Sequence, residues 1–600
     1  MGVSVVRAKP TLALFVLVGL TLLNVSCGGG GGTVKPPPGP IGVALSPSAL
    51  RVLPDGTAAS VEVTVTRPAG TSRAVTLTLL SVPTGVTATI QSPGAGSKGT
   101  LTFTATAQEG GAGTYQVHVR ADDGESNGVT DLALTVVIIA RVGATTAGRI
   151  DTFMSTSFQP AQWSDDFFDR NPDTTHLNDL HPQHINVQVL DRDIPQRTAT
   201  PADTWDFQYI DGMLNPIFTA GDRNPLYQIA MGPSFMYNQN NPQNGFRDAT
   251  YQEFAAYCAT LVKYYNTNGF TDGSGIFHVS TSGHPVTYWG IYNEPNINWL
   301  TAQEYVNMYN VVVPAMLAED PTLKTVAVEL ADFGTEPQKY LPTFVANVTA
   351  PVDVVATHFY STCNQRDTDQ TLFNTVPNFV NDIDYIYSTL HGNPALANVP
   401  VWLTENNVNA DWSNNGLSMC NGGPFVTDQR GSSAFFAAWR PLVFSRFSQA
   451  GIRSIHHWGF AADRQYGEVD GGTAQLYLSY WVDYWLARYF PSPPGSDRLE
   501  LDATDHATVE ILPALNADGS VVVMIANHAV LSSTDDNGTG APRTVVLDLS
   551  ALGSFSSATQ LTINASTDTA AGPSAQTITP AAQMEITLNG YGVTFLALVR

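Results

Sequence analysis

The chain runs to 600 residues, more than one hydrophobic core supports, so three or four domains are expected. Hydrophobic residues make up 43% and aromatics 10%, which is enough apolar material for sizeable cores. A formal net charge of −24 leaves no basic face for nucleic acid or an anionic membrane surface, and it disfavours a strongly anionic substrate.

Residues 1–27 read as an export signal. Arg7 and Lys9 precede an apolar run, Thr11 to Leu23, that is too short to span a bilayer. Cys27 then follows a small residue and opens a glycine run, an arrangement that resembles a bacterial lipoprotein processing site. The mature chain is expected outside the cytoplasm, either anchored through a lipid on Cys27 or released. Residues 28–40, flexible glycines followed by stiffer prolines, form a linker.

From 41 to 139, segments such as ASVEVTVTR and GTYQVHVRA alternate apolar and polar residues between Gly- and Pro-containing turns. That pattern predicts an immunoglobulin-like β-sandwich without a catalytic constellation, serving as a spacer or accessory module, with carbohydrate binding as the alternative. From 140 to 490, short apolar strands alternate with long amphipathic helices. Eight strand candidates can be placed: RIDTFMSTSF, HINVQVL, PLYQIAM, VTYWGIY, KTVAVEL, VDVVATHFY, VPVWLTE and IRSIHHWGF. This alternation predicts a (β/α)8 barrel. Thr301 and Glu304 have capping-box spacing at one helix start. From 491 to 600 the period-two pattern returns and predicts a second, structural β-sandwich.

Of the four cysteines, Cys27 is the lipidation candidate, and Cys258 lies on an amphipathic helix as a small buried apolar residue. Cys363 and Cys420 follow the sixth and seventh strands. Adjacent strands bring those loops together, so a disulfide across the rim is expected in an oxidising compartment. The spacing of cysteines and histidines implies no metal site, and no cofactor is implied.

Barrel active sites form at the C-terminal ends of the strands. The fourth strand ends in Asn293-Glu294-Pro295, the sixth in His358-Phe359-Tyr360, the seventh in Glu405-Asn406-Asn407 and the eighth in His456-His457-Trp458. Strands four and seven face one another across the mouth, so both glutamates can reach one cleft. Two opposed carboxylates are what glycosidic bond cleavage requires, one protonated and one ionised. Asp191 and Arg192 end the second strand and Glu329 the fifth. Each is either a rim residue or a substrate contact. His456 and His457 are expected to point one inward and one outward.

WGIYNEPN resembles the strand-four motif of the clan A retaining glycoside hydrolases, VWLTENN the end of strand seven, and THFYS the strand-six segment. Within the clan, WDFQYIDGMLNPIFTAGDRNPLYQIAMGPSF is similar to the pattern of glycoside hydrolase family 39. The resemblance implies Glu294 as acid/base, Glu405 as nucleophile and Asn293 as a hydrogen-bonding partner of the sugar 2-hydroxyl. It also implies that Tyr360 holds the nucleophile, that His358 supports the site or binds sugar, and that Trp458 stacks on a sugar ring. A buried structural histidine and a core tryptophan are the alternatives at the last two positions. The implied substrate is an oligo- or polysaccharide. Two other classes stay open: a non-catalytic carbohydrate-binding or adhesive protein on the same scaffold, and a hydrolase of clan A family 5, 30 or 51.

Overall fold

The computed structural model describes residues 39–158, 167–190, 193–199, 203–331, 334–364 and 366–600. The export signal, Cys27, most of the linker, Asp191 and Arg192 lie outside the described residues. No helix among the described residues is long and apolar enough to cross a membrane.

Eight parallel strands close into a barrel. They are β1 (Phe153–Phe158), β2 (Asn186–Val189), β3 (Leu226–Ile229), β4 (Tyr288–Ile291), β5 (Lys324–Leu330), β6 (Val354–Thr362), β7 (Val401–Asn409) and β8 (Ser454–Trp458), with β8 pairing back onto β1. Each lies within or against one of the eight apolar runs, as expected for strands buried on both faces. Around them run α1 (Gln208–Thr219), α2 (Gln252–Asn266), α3 (Ala302–Glu319), α4 (Thr335–Asn347), α5 (Asp369–Leu390), α6 (Ala434–Gln449) and α7 (Leu478–Tyr489). The capping box at α3 forms: the Thr301 hydroxyl oxygen accepts from the Glu304 amide while the Glu304 carboxylate accepts from the Thr301 amide. Helix α4 has no counterpart in the sequence reading, because Pro337 and Pro342 fall inside it and mask the helical pattern.

Ahead of the barrel stand two four-stranded sheets. One is ordered Gly42–Ser46, Ala59–Thr66, Lys98–Ala105, Val86–Gln91; the other is Ala49–Val52, Asn127–Val136, Gly113–Asp122, Thr76–Leu80. Their inward residues, including Val61, Val63, Phe103, Val117, Val119, Leu132 and Leu134, form one core.

The expected start of the barrel at 140 is displaced. Ile138–Ile150 is a strand of the C-terminal sheet, lying between Ser496–Ala503 and Arg543–Asp548 in a nine-stranded array. Its register pairs Ile150 with Ser496, so the barrel leaves and rejoins this sheet at facing residues. The sequence IIARVGATTAGRI alternates too weakly to declare a sheet whose other strands lie more than 340 residues downstream. One face of the sheet closes on itself through Ile138, Ile511, Val523, Ile525, Leu547 and Ile586. The other joins the barrel core through Leu512, Ala514, Val522, Met524 and Phe595. Helix α6 is sandwiched between this face and the barrel, which explains why Phe435, Trp439, Leu442, Val443, Phe444 and Phe447 are all buried around its circumference.

Candidate active site

The polar residues interrupting the barrel's apolar strands converge at its C-terminal mouth. Glu294 follows β4 with its side chain partly exposed, and Glu405 sits inside β7 at 5% exposure. His358, on β6 and fully buried, stands between them: its Nδ1 lies 2.9 Å from Glu294 Oε1 and 3.5 Å from Glu405 Oε2. One oxygen of each carboxylate and a ring nitrogen of His358 all fall within 4.8 Å of one another.

Glu405 is gripped from two sides. Gln188 on β2 donates its Nε2–H to Oε1 at 2.7 Å, and the Tyr360 hydroxyl donates to Oε2 at 2.9 Å. Asn293 is oriented by Gln228 on β3, whose Nε2–H donates to Asn293 Oδ1 at 2.8 Å. Gln228 is fixed in turn by Asn186, which donates to its Oε1 at 3.2 Å. On β7, Asn406 donates to the Phe359 carbonyl at 2.8 Å and Asn407 to the Trp458 carbonyl at 2.7 Å, so the strand carrying Glu405 is laced to both neighbours.

Glu329 is neither a rim residue nor exposed. It is fully buried on β5 beneath His358, with Oε2 3.5 Å from His358 Nε2. The Thr404 hydroxyl donates to the same oxygen at 2.5 Å.

Backbone geometry is unusual here. Tyr292, Glu294, Val328 and Glu329 hold φ of 69°, 45°, 81° and 43°, a left-handed conformation that side chains with a Cβ adopt at a cost. The register between β5 and β6 shifts between Ala327 and Leu330. Those distortions fall at the ends of β4 and β5, at Glu294 and Glu329.

Burial pushes the Glu405 carboxyl up to about 7; His358 opposes the rise, the charge of Glu294 adds to it, and Tyr360 opposes it. Burial alone would discharge His358, but Glu405, Glu294 and Glu329 outweigh that effect and hold the imidazole charged well above its ordinary range. Glu294, His358 and Glu405 also have the mutual spacing of metal ligands. Glu294 Oε1 and both Glu405 oxygens are also hydrogen-bonded, by Nδ1 of His358, Gln188 and Tyr360.

His457 and His456 point to opposite sides. His457 faces outward, with Nδ1 3.2 Å from Asp483 on α7, and Arg440 binds both oxygens of that aspartate. His456 faces the barrel interior near Trp402. Trp458 is half-buried at the end of β8, packed edge-on against Tyr466, and its peptide bond to Gly459 is cis. Cys363 and Cys420 are joined by a disulfide with Cα atoms 5.4 Å apart, tying the loop after β6 to the loop after β7. Cavities of about 520 and 540 Å³ open at the opposite end of the barrel, around Phe153, and include no residue of the carboxylate cluster.

Sequence reasoning overlooked Asn186, Gln188 and Gln228, and it left Glu329 as either a rim residue or a substrate contact. The signal was available: each is a polar residue inside a strand whose neighbours are all apolar, a position where burial needs a partner.

No protein-family model matches the sequence, and no curated protein matches it. Among solved structures the chain is similar to a Paenibacillus polymyxa xyloglucanase from glycoside hydrolase family 44, solved with xyloglucan. That match has 9% identity, spans 77% of this chain and 100% of the other, and has a TM-score of 0.49. A family 44 endoglucanase from Clostridium acetobutylium matches with 9% identity over 77% of this chain and 99% of the other, at a TM-score of 0.46. These neighbours are family 44 proteins, whereas the sequence motifs resemble family 39. Likeness this distant leaves the chemistry to be argued from the residues themselves.

Proposed function

We propose that the chain is a retaining glycoside hydrolase of clan A in which Glu405 is the nucleophile and Glu294 the acid/base. The observation that carries this reading is convergence. Two glutamates from strands on opposite sides of the barrel bring carboxylate oxygens within 4.8 Å of a shared histidine and of each other. Retention requires carboxyl groups about 5–5.5 Å apart, whereas inversion requires about 6.5–9.5 Å to admit a water.

In the first step Glu405, aimed by Gln188 and Tyr360, attacks the anomeric carbon. The bond to the leaving oxygen breaks as Glu294 delivers its proton there. In the second step Glu294 takes a proton from water, the water oxygen bonds to the anomeric carbon, and Glu405 departs as carboxylate. Gln228 occupies Asn293 Oδ1, which leaves Asn293 Nδ2 to donate to the sugar 2-hydroxyl. Trp458 offers a stacking face. Trp299 and Trp412 stand 47% and 43% exposed on the loops after β4 and β7. Exposed aromatic side chains on the loops that follow both catalytic strands suit an extended glycan better than a lone sugar. The signal-like segment and Cys27 support an activity outside the cytoplasm, with the sheets ahead of the barrel as a spacer or accessory module.

The test is covalent trapping with 2-fluoro glycosides of several sugars. Mass spectrometry is expected to find the label on Glu405, and Glu405→Gln is expected to abolish turnover of aryl glycosides. A label elsewhere, or full activity in Glu405→Gln, overturns the assignment. Glycan binding without any turnover in the wild type moves the protein to the adhesive class.

A further inference from the structure

Glu329 is a third carboxylate in a site whose chemistry needs two. It is fully buried, where a carboxyl group needs polar partners. Its Oε2 takes the Thr404 hydroxyl and lies 3.5 Å from His358 Nε2, while Oε1 has no hydrogen-bond partner among the described residues. Its main-chain carbonyl accepts the amide of Glu294 at 3.0 Å. Glu329 therefore touches the Glu294 backbone, the residue preceding Glu405, and the histidine that contacts both.

The fold makes room for it deliberately. Gly290 on β4 lies against Glu329, and a Cβ at that position would come within 2.9 Å of Glu329 Oε1. Val328 and Glu329 both take left-handed backbone to turn the carboxylate inward. The sequence reading treated Gly290 only as part of a strand.

His358 is faced by Glu294 after β4, Glu329 on β5, Glu405 on β7, the Tyr360 phenol on its own strand and His456 on β8. Neutral imidazole has one N–H, yet this ring meets carboxylates at both nitrogens. Nδ1 hydrogen-bonds to Glu294, whereas Nε2 makes no hydrogen bond among the described residues and lies at ion-pair distance, 3.5 Å, from Glu329 Oε2; only the doubly protonated ring presents an N–H to carboxylates on both sides.

We propose that Glu329 is a positioning residue that keeps His358 doubly protonated and thereby sets how Glu294 and Glu405 share charge. This inference rests on the hydrolase reading above for its kinetic consequence, and on geometry alone for its electrostatic one. Glu329 Oε2 faces the Nε2 side of the ring at 3.5 Å. The Nδ1 proton is then committed to the Glu294–Glu405 pair, which holds the ring between them.

The experiment is Glu329→Gln, which preserves shape and removes charge. Histidine-selective ¹⁵N NMR across roughly pH 5 to 9 reads the ring, with His358→Asn assigning its signals. In the variant His358 is expected to release a proton at a pH lower by at least about one unit. The value of kcat on aryl glycosides is expected to fall roughly tenfold, with KM changed by less than about threefold. The inference is overturned if His358 titrates in Glu329→Gln as it does in wild type, whatever happens to the rate. Should that variant not fold, Gly290→Ala crowds the same carboxylate and is expected to move the His358 titration in the same direction; an unmoved titration overturns the inference equally. If wild type turns over no glycoside at all, the hydrolase reading fails, while the NMR comparison still decides the role of Glu329.

Discussion

Glu405 carries its charge where charge is disfavoured. It is nearly enclosed, and its carboxyl is pushed up to about 7, burial being the largest cause. A nucleophile must be ionised, so kcat/KM is expected to rise with pH through about 7. The Tyr360 hydroxyl stabilises the anion, and removing it raises the carboxyl further. Tyr360→Phe is therefore expected to move that rising limb to higher pH, as a pH–rate profile would record. The stability consequence has the opposite sign. A carboxyl whose folded pKa exceeds its unfolded one stabilises the fold at low pH, and that contribution is lost as pH rises toward the folded value. Glu405→Gln is accordingly expected to melt higher than wild type, by a margin that widens from pH 5 to pH 8 in calorimetry. An equal margin at both pH values would mean that the charge on Glu405 does not burden the fold.

Among the elements, legibility followed how local each cause is. The Thr301–Glu304 cap is written within four residues and forms as read. All eight barrel strands were legible, because each is a short apolar run bounded by turn-forming residues. Helix α4 was not, since two prolines break its pattern, and the strand at Ile138–Ile150 was not, since its partners are remote. The carboxylates at the strand ends could be read from their placement, whereas the amides that orient them needed the packed barrel. The Cys363–Cys420 bridge closes a separation of 57 residues, which in the loop-entropy picture stabilises by about 4 kcal/mol. Replacing both cysteines by serine is expected to lower the denaturation midpoint by a corresponding amount. It should also loosen the rim that carries Trp412, raising KM for long glycans more than for aryl glycosides. Unchanged stability would mean that the two loops are already held by Arg430, which donates to the Asp367 carbonyl on one side and to the Asp428 carboxylate on the other.

For the whole molecule, the C-terminal sheet and the barrel share one core, while the N-terminal sheets touch the C-terminal sheet through Ala112, buried in its outer core, and through polar contacts such as Glu109 with the amides of His506 and Ala507. A chain beginning at 138 is expected to fold and retain turnover. One beginning at 151 lacks a central strand and is expected to aggregate, as is one ending at 490, which bares the outer face of α6. Solubility and melting of the three truncations check this. A soluble, active 151–600 would show the strand to be dispensable.

The strand at Ile138–Ile150 also imposes an order on synthesis. It emerges from the ribosome some 350 residues before either neighbour in its sheet exists. At ordinary elongation speeds the delay is on the order of tens of seconds. Throughout it, a thirteen-residue segment with open edges must stay unpaired while an entire barrel assembles between it and its destination. Its run of small and polar residues, Gly143 to Arg149, keeps that waiting edge from recruiting the wrong neighbour.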